Sequence, residues 1–169
     1  MTRRSRGREV ALQVLYQVEQ NPGVPLEEVR RFIQRRLLGD RKLSEFTEGL
    51  IAGVKEHQPR IDAVISEVAE NWRLDRMAAI DRNILRLGAY EMLYCPEVPA
   101  RVALNEALEL AKRYSTAQSS RFVNGILDRL QVGDSKDREP GSGPEPKPEP
   151  EPEPEPGPAA PPEEPPPSS

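Results

Sequence analysis

The sequence predicts an all-α protein, a compact bundle of helices followed by a disordered tail rich in proline and glutamate. Apolar residues recur at helical spacing across residues 11–130. No run of alternating polar and apolar residues, bounded by turn signals, indicates a strand. The connections between the apolar stripes are short, which favours antiparallel neighbours in a bundle.

Seven apolar stripes predict the helices in order. They span residues 11–18, 29–37, 46–54, 61–68, 80–93, 104–111 and 122–130. Turn signals separate several of them, namely Asn21-Pro22-Gly23, Gly39-Asp40, Pro96 and Pro99. Pro25 suits the first turn of the second helix, and Pro59 is expected to stop the third helix before the fourth begins. Gly49 and Gly53 lie on one helix face and predict a close approach of two helices.

The charge of the chain is divided between a basic body and an acidic tail. Residues 134–169 carry ten carboxylates against three basic side chains and hold 14 of the 19 prolines. Such a segment buries too little to offset its ordering entropy, so it is expected to be an extended, solvated appendage. Residues 1–133 keep 21 bases and 18 acids although the whole chain has a net charge of -4. The predicted domain, residues 1–133, therefore suits a polyanionic partner.

Catalytic and metal chemistry have little support in the sequence. Cys95 and His57 are the only residues of their kinds, which leaves no disulfide, cysteine-based zinc site or histidine pair, and His57 is expected at a helix end or in packing. No phosphate-binding loop or dinucleotide fingerprint is present. Asp81 and Arg82 fit a structural ion pair or a partner contact better than an acid–base pair. The sequence therefore predicts no enzyme, no cofactor and no metal.

Membrane insertion and secretion are not indicated either. No stretch approaches the ~20 apolar residues that a membrane helix needs. Gln13 and Gln17 interrupt the apolar residues near the N-terminus, which does not fit a signal peptide. The expected compartment is the cytoplasm.

The first eight residues are predicted to be a flexible arm that contacts phosphate. The arm carries Arg3, Arg4, Arg6 and Arg8. Bound to single-stranded RNA, each arginine would contribute about 0.7 to the salt dependence of the affinity. Tyr16 is expected two turns after Arg8 on nearly the same side, where its ring can stack on a base. The residues alone leave open the alternatives of a disordered solubility arm and of Tyr16 as part of the core.

The order and spacing of many short motifs resemble the NusB family of bacterial transcription antitermination factors. The matching residues are Arg8-Glu9, Ala11-Leu12-Gln13, Leu15-Tyr16, Leu50, Gly53-Val54, Ile61-Asp62, Trp72, Leu74, Arg76, Ile80-Asp81-Arg82, Ile84-Leu85-Arg86-Leu87, Tyr90-Glu91, Val98-Pro99, Val102, Asn105-Glu106-Ala107, Glu109-Leu110-Ala111-Lys112 and Phe122-Val123-Asn124-Gly125-Ile126-Leu127-Asp128. The match covers nearly the whole predicted domain.

The resemblance implies about seven helices in two subdomains and a function without catalysis. It implies binding of the boxA element of ribosomal RNA operons together with the ribosomal protein NusE, within the RNA polymerase elongation complex and with other Nus factors. Some relatives dimerise, so a homodimer stays open. The alternatives are a helical protein-binding module and a stand-alone relative of the N-terminal RNA-binding domain of ribosomal RNA cytosine methyltransferases.

The resemblance also implies two groups of site residues. The RNA-binding group consists of Arg3, Arg4, Arg6, Arg8, Tyr16, Arg121, Phe122 and Asn124. The NusE-binding group consists of Asp81, Leu85, Arg86, Glu91 and Glu106. The last four could equally belong to the core or to ion pairs inside the domain. Asn105 and Asn124 also suit helix caps, and Phe122 lies on the apolar stripe of its helix. The loop of residues 115–120 lacks an acidic residue that some relatives carry, and the tail has no counterpart in the family.

Overall fold

All regular elements in the described part of the chain are helical, as predicted. The computed structural model describes residues 1–69 and 73–134, with side chains up to residue 131. The helices are α1 Arg3–Gln20, α2 Leu26–Arg36, α3 Arg41–Ala69, α4 Ala79–Tyr94, α5 Ala100–Tyr114 and α6 Ala117–Asp134, with a 3₁₀ turn Leu74–Arg76 before α4. The predicted tail beyond residue 134 and the motif residue Trp72 lie outside the described residues.

The predicted flexible arm is wrong from Arg3 onward, because α1 begins there. The Thr2 hydroxyl accepts a hydrogen bond from the Ser5 N–H at 3.0 Å and caps the helix. A hydroxyl at this position satisfies one of the backbone donors that a helix start leaves free. Ser5 also donates its hydroxyl proton to Glu106 on α5 at 2.8 Å. These contacts hold the first turn against the body of the protein.

The predicted break at Pro59 is also wrong. α3 continues through Pro59, so the third and fourth apolar stripes share one helix, and the described residues form six α-helices instead of seven. Proline removes one hydrogen bond to the carbonyl four residues earlier. That carbonyl belongs to Lys55, and both residues lie on the exposed face, where water can bond it. Burial of Ile61 and Ile65, both 0% exposed, stabilises the helix beyond the proline.

One continuous core joins all six helices. α3 and α4 lie at its centre: α1 packs against both, and α5 and α6 pack against α4. Buried residues from every helix contribute to it, among them Leu12, Ile33, Val54, Leu85 and Leu110. The first turn of α1 is thereby set beside the end of α2 and the start of α3.

The prediction of a close helix approach is confirmed for Gly53 and wrong for Gly49. A Cβ at Gly53 would overlap the Tyr90 ring of α4, whereas nothing lies within 4 Å of a Cβ at Gly49. The second close approach is at Gly7 in α1, where a Cβ would lie 2.9 Å from the Thr47 hydroxyl of α3. Small residues at these crossings let the helix axes come together.

Candidate nucleic-acid interface

Three of the four predicted RNA-contacting arginines lie exposed on the first turns of α1, beside α2 and α3. Arg3 forms an ion pair with Asp40, the residue before α3. Arg6 donates to the backbone carbonyl of Arg36 at the end of α2, from Nη2 at 3.0 Å and from Nε at 3.3 Å. Arg4 is likewise exposed. The surface therefore presents cations from a helix rather than from an arm.

Phe46 of α3 separates the exposed Arg4 from the buried Arg8. The Arg4 guanidinium carbon lies 5.2 Å from the centre of the Phe46 ring, and that of Arg8 lies 5.5 Å from it. Both distances suit cation–π attraction. The Phe46 ring thus contacts one face of the Arg4 guanidinium, and Arg4 remains exposed to solvent.

Arg8 occupies a different place from the other three. Its side chain donates from Nε to Glu91 Oε1 at 2.7 Å and from Nη2 to Oε2 at 2.8 Å, and Glu106 Oε1 lies 3.7 Å from Nη1. Only 3% of Arg8 is exposed. Burial by itself would lower the pKa of the guanidinium, but its hydrogen bonds to Glu91 and the negative charge of that carboxylate outweigh burial and raise the pKa. The charge of Arg8 is therefore used inside the protein, where a phosphate does not reach it.

Tyr16 is exposed. The prediction that it lies on nearly the same side of α1 as Arg8 is wrong. Eight residues turn an α-helix about 80° beyond two full turns, whereas seven residues fall only about 20° short of them. Tyr16 therefore lines up with Glu9, and Gln13 lies between them on the same face. The ring of Tyr16 is 41% exposed and available to a base.

A polar cluster on this face joins α1 to the end of α5, and no sequence motif predicts it. Glu9 accepts hydrogen bonds from Arg113 at 3.0 Å and from the Tyr114 hydroxyl. Gln13 donates to the Tyr114 oxygen at 2.9 Å. Burial alone would raise the pKa of Glu9, but the hydrogen bonds from Tyr114 and Arg113 hold that pKa below its ordinary value. The cluster fixes Arg113, a half-exposed cation, beside the start of α1.

The α6 residues predicted to contact RNA lie in the second turn of that helix. Arg121 is exposed, whereas Phe122 is half-buried and packs against the core. Asn124 is half-buried and lies inside α6, so its predicted cap role is wrong. The cap of α6 is Thr116, whose hydroxyl accepts from the Ser119 N–H at 3.0 Å. Asn105, the other predicted cap, is an exposed residue in the middle of α5.

The predicted NusE-binding residues lie mainly inside the protein. Leu85 is 0% exposed, and Glu91 is 1% exposed and paired with Arg8. Glu106, which contacts Arg8 and Ser5, keeps a fifth of its side chain exposed. These residues therefore lie in the core or in ion pairs inside the domain, which is the alternative left open by the sequence.

Asp81 and Arg86 connect helix ends. Asp81 is 7% exposed and accepts a hydrogen bond from Ser115, in the loop that leads into α6. Arg86 donates to both carboxylate oxygens of Asp62 at 2.8 and 3.0 Å and to Glu19 at 3.1 Å. A bidentate arginine–carboxylate pair has a defined geometry. Arg86 therefore binds α1 and α3 to α4 rather than facing a partner.

An open cavity of about 640 Å³ lies above this network. Its charged lining residues are Glu19, Asp62, Asp75, Arg73, Arg82 and Arg86. Acidic and basic side chains balance there, so the cavity has no excess charge for an ion. No group of three or more metal-ligating side chains occurs among the described residues.

His57 and Cys95 are packing residues in this structure. The His57 ring stacks on Tyr94 at 3.9 Å between centroids, in the middle of α3 rather than at a helix end. The prediction of packing is thus confirmed and that of a helix end is wrong. Burial raises the pKa of the Cys95 thiol, which keeps it protonated and unreactive. In residues 1–69 and 73–134, no helix has the length and apolarity needed to cross a membrane.

Fold and surface together define a small all-α protein with a basic face built around its first helix. A family model described as the NusB family matches residues 5–132. A NusB transcription antitermination protein of Desulfatibacillum aliphaticivorans is 43% identical over 132 residues, which cover 78% of this chain and 92% of that protein. The chain therefore belongs to the NusB family, a family of RNA-binding transcription antitermination factors, as the sequence motifs predicted.

Solved structures agree in fold. The NusB of T. maritima is 37% identical, with a TM-score of 0.67 over 78% of this chain and 92% of that one. A chain from the crystal structure of antitermination factors NusB and NusE in complex with double-stranded RNA has a TM-score of 0.70 over 79% of this chain and 98% of that one. Its sequence identity is 24%, so this likeness concerns the fold alone.

Proposed function

We propose that this chain is a transcription antitermination factor that binds boxA RNA of ribosomal RNA operons together with NusE. It acts in the cytoplasm, within the RNA polymerase elongation complex and with other Nus factors, and catalyses no reaction. Membership of the NusB family supports the activity. Residues 1–133 form the binding domain, and residues 134–169 form its tail.

The observation that carries the RNA contact is the row of exposed arginines on a capped helix. Arg3, Arg4 and Arg6 are each held on one side by a protein contact and open on the other. Cations that are positioned before binding lose less side-chain entropy when they meet a phosphate. Electrostatic attraction then brings the RNA to α1, and released counterions make the affinity depend on salt.

Aromatic and amide groups supply the contacts to bases. Tyr16, 41% exposed, stacks on an unpaired base, the usual way in which proteins hold single-stranded RNA. Arg121, Phe122 and Asn124 on α6 extend the surface, with Arg121 as the exposed phosphate contact. Arg8 acts through position: its pair with Glu91 fixes α1 against α4.

NusE binds, in this proposal, near the start of α4 and the loop before α6. Asp81 lies there and holds Ser115. Leu85, Arg86, Glu91 and Glu106 support that surface from inside, through core packing and ion pairs.

The test is the binding of a fluorescently labelled boxA RNA by the full chain, with and without NusE, from ~50 to ~200 mM salt. We expect NusE to strengthen binding and salt to weaken it steeply. The variant Arg3→Gln/Arg4→Gln/Arg6→Gln should lose about two from the logarithmic salt slope. The matched control Lys55→Gln/Arg60→Gln/Arg76→Gln removes the same charge from exposed cations that form no ion pair in the described structure.

Other outcomes would identify the alternatives. Binding of NusE without binding of any RNA would identify a protein-binding helical module. Methyl transfer to ribosomal RNA in the presence of S-adenosylmethionine would identify an enzyme. Equal losses in the arginine variant and its control would remove α1 from the RNA surface.

A further inference from the structure

Beside the first turn of α1 lies a second group of cations at the turn between α2 and α3. We call it the α2–α3 corner and define it by Arg35, Arg36 and Lys42. Arg35 and Arg36 end α2, and Lys42 lies in the first turn of α3. All three side chains are exposed. They belong to no sequence motif, and the proposed RNA contacts do not include them.

The turn that carries the corner has a defined backbone. Leu38 and Gly39 have positive φ angles of 53° and 71°, and the Gly39 N–H bonds the Gln34 carbonyl at 3.0 Å. The next N–H, of Asp40, bonds the Leu37 carbonyl at 3.0 Å. These bonds close the end of α2. The backbone positions from which the cations on either side of the turn project are therefore fixed.

The corner is continuous with the arginines of α1. Arg6 reaches the backbone carbonyl of Arg36 at 3.0 Å, so the Arg6 guanidinium lies at the end of α2. Arg3 meets Asp40 in the middle of the turn. A phosphodiester chain that passes Arg3 and Arg6 therefore continues over the corner without leaving the basic surface.

The carboxylates near the corner are already occupied. Asp40 pairs with Arg3, Glu45 with Arg41 at 3.4 Å, and Glu27 with Arg31 at 3.9 Å. The cations of the corner, by contrast, have no ion-pair partner in the part of the chain that the structure describes; they are Arg35, Arg36 and Lys42. Arg36 interacts electrostatically with the buried Glu9 carboxylate, and Arg35 and Lys42 leave the surface with an excess of positive charge.

The basic residues at the starts of α1 and α3 oppose folding, whereas Arg35 and Arg36 complement the negative end of the α2 dipole. A helix start is the positive end of the helix dipole and favours acidic side chains. The first turns of α1 and α3 contain no acidic residue, and both start with basic ones. Like charges at two adjacent helix starts and beside Arg36 repel one another. A bound chain of phosphates reverses this repulsion, whereas a purely solvated surface leaves it in place.

We propose that the α2–α3 corner is a second phosphate-binding site, over which single-stranded RNA flanking the recognised element runs. This proposal rests on the proposed function, because it extends the same RNA path. It assigns no base recognition to the corner, since arginine and lysine contacts to phosphate carry no sequence information. The corner therefore adds affinity only for RNA that is long enough to reach it.

The test compares two RNAs, a short boxA RNA and the same RNA lengthened at both ends by about eight nucleotides, the size of a typical single-strand site. The full chain, the variant Arg35→Gln/Arg36→Gln/Lys42→Gln and the control Lys55→Gln/Arg60→Gln/Arg76→Gln are titrated with each. The Arg36 substitution keeps the backbone carbonyl that Arg6 contacts. Thermal unfolding verifies that the three proteins are equally folded.

We expect the wild type to bind the long RNA more tightly, and the corner variant to lose about tenfold on the long RNA with a salt slope smaller by about two. Its loss on the short RNA, and the loss of the control on either RNA, should stay near twofold. Equal losses of corner variant and control on the long RNA would overturn the corner while leaving the proposed function intact. Wild-type protein that binds neither RNA would overturn both.

Discussion

Two pairs of arginines in this protein have opposite surroundings, Arg4 and Arg6 on the outer surface and Arg8 and Arg86 in the interior. On the outer surface, Arg4 and Arg6 meet an aromatic ring and a backbone carbonyl but no carboxylate. In the interior, Arg8 and Arg86 each meet carboxylates from another helix. Because the guanidinium keeps its charge everywhere, the neighbours decide its role. The inner arginines join helices, and the outer ones remain available to an external anion.

Removal of an inner arginine should give the largest effect. Arg8→Ala leaves the carboxylate of Glu91 buried, at 1% exposure, without its partner. We expect a loss of about 3–5 kcal/mol in the free energy of unfolding, measured by urea denaturation. Arg6→Ala serves as the control and should change stability by less than about 0.5 kcal/mol.

The double variant Arg8→Met/Glu91→Leu sharpens this comparison. It removes both charges and fills the site with apolar groups, so most of the stability lost in Arg8→Ala should return. If Arg8→Ala were as stable as Arg6→Ala, the distinction between inner and outer arginines would not hold.

On the outer surface the largest single effect should come from Tyr16. Tyr16→Ala removes a stacking surface worth about 1–3 kcal/mol per base, so the affinity for single-stranded RNA should fall by that amount. Because the ring is 41% exposed, stability should change little. Fluorescence anisotropy gives the affinity and thermal unfolding the stability. A large loss of stability with unchanged affinity would assign Tyr16 to the core instead.

Acid should weaken the inner region. Burial would raise the pKa of Glu19, but hydrogen bonds from Arg82 and Asn83 hold it below its ordinary value near 4.5. A carboxylate with a lowered pKa in the folded state stabilises above its unfolded pKa, and that contribution disappears as the pH falls through the folded one. Urea denaturation between pH 7 and pH 3 should show it as a loss on the order of 1 kcal/mol, beginning below about pH 4.5.

Glu19→Gln is the matched variant for this pH dependence. It removes the titrating group, so its stability should fall less steeply in acid than that of the wild type. An identical pH profile in the two proteins would show that the decline comes from other carboxylates, such as Glu9.

The smallest effect is expected at the outer ion pair of Arg3 and Asp40. The Arg3 side chain is 68% exposed, and pairs this exposed contribute little to stability because solvent screens them. Arg3→Gln should therefore leave the denaturation midpoint nearly unchanged while lowering RNA affinity at low salt. A stability loss as large as that of Arg8→Ala would erase the difference between the two regions.

The fold could be predicted from the sequence because helical periodicity is local. The apolar stripes at residues 46–54 and 61–68 correctly predict helix. Periodicity does not tell whether Pro59 separates two helices or lies on the solvent-exposed face of a single helix. That depends on which side the neighbouring helices cover. Likewise, burial of Arg8 depends on Glu91, 83 positions away in the chain.

The candidate site could be predicted only in part, for the same reason. The arginine-rich start was visible, but its helical state required the Thr2 cap and the contact of Ser5 with Glu106 on α5. Family motifs singled out Leu85 and Arg86, yet motif matching does not separate residues that support a surface from residues that form it. The α2–α3 corner has no motif at all and emerges only when the two helix ends are brought together.

The proline inside α3 has a consequence for how the protein opens. Pro59 has no amide hydrogen, so one main-chain hydrogen bond of α3 is missing there although the helix continues. The stretch before it is held by α1, and the stretch after it by Arg86 of α4 and Arg129 of α6. Fraying that starts in either stretch meets a boundary at the proline. We therefore expect the amides of α3 to exchange with solvent in two separate groups, one before and one after Pro59.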